Sequence, residues 1–148
     1  MSTTYVYNKN DDTCTGTPNH IISKLTASAC VPVTNCPQKS SGFRYLTVCM
    51  EPLYPTDTEG TFLTYYPTAS TCKAATDCEL EKHWIREGIC TWDSRAGEDK
   101  TMQLSTSDNL ITAIFYNDGI CNSISSTLQL TPGQCTDDII ATSQTGAA

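Results

Sequence analysis

The chain has 148 residues, a formal net charge of −7 and nine cysteines. That length can bury a sizeable core. Acidic residues outnumber basic ones and no Lys/Arg stripe is present, which argues against nucleic-acid binding. No apolar run approaches the ~20 residues of a membrane-spanning helix. Tyr, Trp, Leu and Ile occur throughout, unlike a disordered chain, and abundant Thr and Ser suit a β-rich domain.

The cysteines are dispersed along the chain, at Cys14, Cys30, Cys36, Cys49, Cys72, Cys78, Cys90, Cys121 and Cys135. Zinc sites favour close ligand pairs, and the tightest pairs here are six residues apart, with only His20 and His83 to add. A disulfide framework formed in an oxidising compartment is the better reading. The opening "MSTTYVY" has neither a basic nor an apolar leader region, so the expectation is a mature secreted form.

In chain order, the first segment is an aromatic strand in "YVYNKNDDTC", ending in turn formers and Cys14. "KLTASAC" follows, placing Leu25 five residues before Cys30, and then an alternating strand in "GFRYLTVCM" (42–50). The same order recurs. "FLTYYPTASTC" ends at Cys72, "WIREGIC" places Ile85 five before Cys90, and "KTMQLSTS" (100–107) follows. A third pass has "AIFYNDGIC" ending at Cys121, "QLTPGQC" with Leu130 five before Cys135, and "DIIATSQ" (138–144). These give degenerate repeat units of about 4–50, 61–107 and 110–144.

Two local features complete the expected elements. Asp77 as an N-cap, with Leu80 and Trp84 four apart, predicts a short helix near 77–82 before a strand at 83–87. Ser107–Asn109 reads as a turn, and the apolar character of both faces of 110–116 points to a central strand. The expected fold is all-β: a disulfide-stapled, mainly antiparallel barrel or sandwich in one domain, 1–148, with internal threefold repetition. The repeat predicts Cys14–Cys30, Cys72–Cys90 and Cys121–Cys135. Cys36 and Cys49 would close a hairpin. Cys78 is left free or intermolecular.

Motifs for nucleophile-elbow, zincin, dinucleotide and P-loop chemistry are missing. His20 and His83 lie in matching inter-cysteine segments and read as ordinary strand residues. The acidic pairs Asp57/Glu59, Glu79/Glu81, Glu98/Asp99 and Asp137/Asp138 keep a carboxylate-pair hydrolase open, because spacing in sequence does not give separation in space. Asn8, Asn10 and Asp12 alternate like the start of a calcium loop, but the later glycine and glutamate do not follow. Turn chemistry explains them, and no metal or cofactor is expected.

Tyr65, Tyr66, Trp84, Trp92 and Tyr116 are candidate sugar-stacking side chains, with a β-domain core as the competing use. The strands at 3–8 and 138–144 would pair with each other in one chain, or with another copy to build a fibre.

The order aromatic–Tyr–turn–Cys, then Leu-Thr-x₃-Cys, is similar to short repeats of small secreted cysteine-rich proteins of amoebae and other protists. It covers about half the chain and carries no activity or site residue to transfer. Three units of about fifty residues also resemble β-trefoil lectins, although no Gln-x-Trp occurs and Trp84 and Trp92 share one unit. The expectation is a non-catalytic extracellular structural, adhesive or self-assembling protein. A carbohydrate-binding module is the first alternative and a secreted hydrolase the second.

Overall fold

The computed structural model describes residues 1–25, 29–74, 80–97 and 99–143. It is all-β, with two antiparallel sheets. The first strands are β1 (Ser2–Tyr7), β2 (His20–Lys24), β3 (Arg44–Val48) and β4 (Gly60–Tyr65), followed by the short helix α1 (Ala69–Ala74). Then come β5 (Glu81–Arg86), β6 (Thr91–Trp92), β7 (Thr101–Ser107) and β8 (Leu110–Tyr116). The last are β9 (Ile124–Leu130), β10 (Cys135–Thr136) and β11 (Ile139–Ser143). One sheet has the order β10-β11-β4-β5-β2-β1-β3, the other β6-β7-β8-β9.

Alternation sets which face each strand buries. Leu63 and Tyr65 of β4, Ile85 of β5, and Ile139 and Ala141 of β11 point inward. They meet Met102 and Leu104 of β7, Ile111 and Ala113 of β8, and Leu130 of β9 in the larger core. None of these residues belongs to β1, β2 or β3. Over those strands a smaller core forms instead from Val6, Ile22, Phe43 and Trp92. The seven-stranded sheet therefore extends past the four-stranded one, and among the described residues β6 and nearby loops pack against part of the overhang.

The opposite face of the large sheet also buries a tryptophan. Trp84 is fully buried there. Its indole lies where a Cβ on Gly60, its diagonal neighbour on β4, would sit, so glycine is required there. Beside it Tyr54 meets Phe62 edge-on, with ring centroids 4.8 Å apart.

The β7–β8 hairpin follows its sequence signal. Ser107 pairs with Leu110, and Asp108 and Asn109 both take positive φ, at 51° and 63°. That is the two-residue turn whose twist matches the flanking strands. β8 lies between β7 and β9, as a strand apolar on both faces should.

Three expectations are corrected. The helix is α1, at Ala69–Ala74. Residues 77–79 lie outside the described residues, while Glu81 and Lys82 already belong to β5. The Leu80/Trp84 spacing mimicked a helix because Trp84 is buried on the outer face and Ile85 on the inner one.

The terminal strands do not pair. β1 sits between β2 and β3, and β11 between β4 and β10. Nor do the three chain segments form three separate units. Each aromatic strand does lie beside the aliphatic strand of its own segment, in the pairs β1-β2, β4-β5 and β8-β9. The alternating strands of the second and third segments, however, are exchanged: β7 joins β8 and β11 joins β4.

The disulfides are the third correction. The eight cysteines do bridge, but as Cys14–Cys36, Cys30–Cys49, Cys72–Cys135 and Cys90–Cys121. The reason lies in strand length. In each of the three expected pairs the two cysteines flank one strand of five to seven residues. At ~3.3 Å per residue that strand holds them roughly 17–23 Å apart, whereas a bridge needs Cα atoms within about 7 Å. Bridges therefore form between neighbours at the same end of the molecule. Cys14–Cys36 and Cys90–Cys121 tie one end. Cys30–Cys49 and Cys72–Cys135 tie the other.

Candidate functional site

Where the two cores meet, the inner face of the large sheet turns polar. β2 and β5 pair with His20 opposite Ile85 and Ile22 opposite His83. The two histidines are diagonal neighbours on the same face, and both are almost wholly buried. They form one hydrogen-bonded chain. His20 Nδ1 is 3.0 Å from the Trp92 carbonyl, His20 Nε2 is 2.7 Å from His83 Nδ1, and His83 Nε2 is 3.2 Å from Glu81 Oε2.

The acceptor at each end fixes the protons. A carbonyl only accepts, so His20 Nδ1 donates to Trp92 and His20 Nε2 must accept from His83 Nδ1. His83 Nε2 then faces a carboxylate, and that bond needs one proton more than two neutral imidazoles carry. It is made when His83 is an imidazolium beside ionised Glu81.

Electrostatics oppose and support this at once. Burial pulls the His83 pKa down, while the Glu81 bond and charge push it back up. The His83 bond holds Glu81 below the usual carboxylate range. His20 is driven well below its ordinary value by burial and by the neighbouring His83.

Loop 93–97 closes over this chain. Arg95 stacks on the Tyr65 ring at 3.9 Å and reaches Glu81 at 4.0 Å and Asp138 at 3.9 Å. Tyr65 in turn meets the His83 ring edge-on, at 4.9 Å. Burial raises the Tyr65 phenol, so it stays protonated. Asp93 is also raised, chiefly by burial.

Beside the chain, the uncovered overhang forms a groove of about 220 Å³. Thr4, Thr47 and Tyr45 lie on its sheet side, and Trp92 and Ser94 on its loop side. Lys24, Lys39 and Glu81 add charge. The Lys39 ammonium lies against both rings, 4.3 Å from Tyr45 and 4.5 Å from Trp92. The Trp92 indole donates to the Gly97 carbonyl at 3.0 Å, which fixes the ring. Ser94 Oγ is buried with no hydrogen-bond partner among the described residues.

The sequence candidates scatter. Tyr65, Tyr66, Trp84, Trp92 and Tyr116 are all at most 9% exposed. Only Trp92 lines the groove and Tyr65 the histidine chain; Trp84 lies on the outer face of the large sheet. Cys78 lies outside the described residues. In the loop that carries Asn8, Asn10 and Asp12, Asn8 Oδ1 accepts from Asn19 Nδ2 at 2.8 Å, and no group of three or more His, Cys, Asp or Glu among the described residues is placed to hold a metal ion. In that loop Asp11 closes the turn instead, accepting the Thr15 and Gly16 amides at 3.2 and 2.8 Å.

Sequence reasoning missed the histidine contact and the roles of Tyr45, Lys39 and Ser94. The matching positions of His20 and His83 were a visible signal. Their contact depends on β2 pairing with β5, which no local pattern encodes.

No helix among the described residues is long and apolar enough to cross a membrane. The fold and site thus define an all-β protein of two antiparallel sheets, with two disulfides at each end. Comparison with protein-family models, curated proteins and solved structures gives no match.

Proposed function

We propose that the protein is a secreted, non-catalytic adhesion domain that holds a carbohydrate in the Tyr45–Trp92 groove. The observation that carries this reading is the groove itself. It combines two aromatic rings with the hydroxyls of Thr4, Thr47 and Ser94 and with charged hydrogen-bonding groups. Sugars are met by that mixture, rings against their C–H faces and polar groups against their hydroxyls. Four disulfides support an oxidising compartment.

A hydrolase is less favoured. Glu81 is the single carboxylate among the described residues lining the groove, whereas glycoside hydrolysis uses a pair. Glu81 is also committed to His83.

The experiment is an NMR titration with a panel of neutral and amino oligosaccharides. The Trp92 indole and the Thr4, Thr47 and Ser94 amides are expected to shift together, and Tyr45→Ala to abolish the response. A panel that leaves all four unmoved at millimolar ligand removes the reading.

A further inference from the structure

The four-stranded sheet has two very different edges. One is β6, two residues long; the other is β9, seven residues long and paired among the described residues only with β8. Ile124, Ser125, Ser126, Thr127 and Gln129 of β9 are exposed. An exposed edge presents a row of free backbone donors and acceptors, which soluble proteins usually guard with Lys, Pro, a short strand or a covering loop. β9 carries no Lys or Pro and is not short; a single β-bulge at Ser125 leaves Ser126–Leu130 as the regular part of the edge.

The charge distribution sharpens this. The chain has 16 acidic and 9 basic residues, yet β7, β8 and β9 contain no charged residue at all. The stretch from Gly119 to Thr136 contains none either. Two copies of an acidic protein repel over most of their surface. Along β9 they meet without placing like charges opposite each other.

We infer that β9 is a homodimer interface, pairing antiparallel with β9 of a second copy about a twofold axis to make one continuous eight-stranded sheet. Thr127 is the middle residue of the strand, so the symmetric register puts Thr127 opposite Thr127. Ser126 then faces Leu128 within the regular part of the strand. Hydroxyl pairs across antiparallel strands are favourable, and every contact is repeated by symmetry. A second copy fits better than a foreign strand because the edge is uncharged along its whole length and self-complementary about Thr127. Of the groove's two rings, Tyr45 lies on β3 of the other sheet and Trp92 on β6, the opposite edge of the four-stranded sheet from β9, so this interface and the sugar reading stand or fall separately.

The test is a charge swap at the axis, read by sedimentation velocity from micromolar to millimolar protein. Wild type is expected to dimerise with concentration. Thr127→Lys and Thr127→Asp each place like charges face to face, and each should weaken dimerisation by at least about fivefold. Their equimolar mixture should restore it as a heterodimer. Amide exchange on wild type supplies a readout without substitution: the β9 amides not bonded to β8 should gain protection as concentration rises. A wild type that stays monomeric, single variants that dimerise like wild type, a folded mixture that fails to recover, or β9 amides whose exchange ignores concentration would each overturn the inference.

Discussion

His20 and His83 are stable together only while His20 stays neutral, since its Nε2 must accept from His83. A second proton would remove that acceptor and set two cations side by side in a buried site. Both pKa values are depressed in the folded protein, while the unfolded chain titrates near 6.5. The unfolded state therefore takes up protons first as pH falls. Stability is fully present above about 6.5 and is lost as pH drops from there toward the folded values. Glu81, held low by His83, adds loss in the same direction below its ordinary 4.5. The melting temperature should fall between pH 7.5 and 5, and His20→Gln should flatten that fall by removing one titrating group. An unchanged slope in the variant would refute this account.

At the level of elements, local rules hold where a turn or a close approach decides the conformation. Asp108 and Asn109 take the positive φ that a two-residue hairpin needs. The turns before Cys14 and Cys121 are built alike. In each, an aspartate three residues before the cysteine accepts backbone amides just beyond it, and the cysteine takes positive φ. Those amides hold Asp11 and Asp118 below the ordinary carboxylate value. Gly60 is a sharper test. Gly60→Ala would drive a methyl into the Trp84 indole, and overpacking of that kind costs about 1–3 kcal/mol. A urea midpoint lowered accordingly, with an unchanged slope, is the expected result. Trp84→Phe in the same chain should recover part of the loss.

Across the whole molecule, the bridges act as two clamps. Each end is held by two, and the longest loop closed is that of Cys72–Cys135, at a sequence separation of 63. In the chain-entropy model, opening it should cost about 4 kcal/mol, roughly half a kcal/mol more than opening Cys90–Cys121, whose separation is 31. Double Cys→Ser variants compared by denaturant unfolding should keep that order. Non-reducing peptide mapping should recover the four pairs that share an end and none of Cys14–Cys30, Cys72–Cys90 and Cys121–Cys135.

The sequence by itself determined the all-β class, the presence of a disulfide framework, the β7–β8 hairpin and the central place of β8. Each of those is written in composition, alternation or turn chemistry over a few neighbouring residues. Only the tertiary structure decided which cysteines meet, because a strand's length separates the two that are close in the chain. It also brought His20 against His83, buried the aromatic candidates and left β9 as the open edge. Those outcomes follow from which strands become neighbours. Strand order depends on long-range pairing and shared burial, and residues far apart in the chain carry no local mark of it.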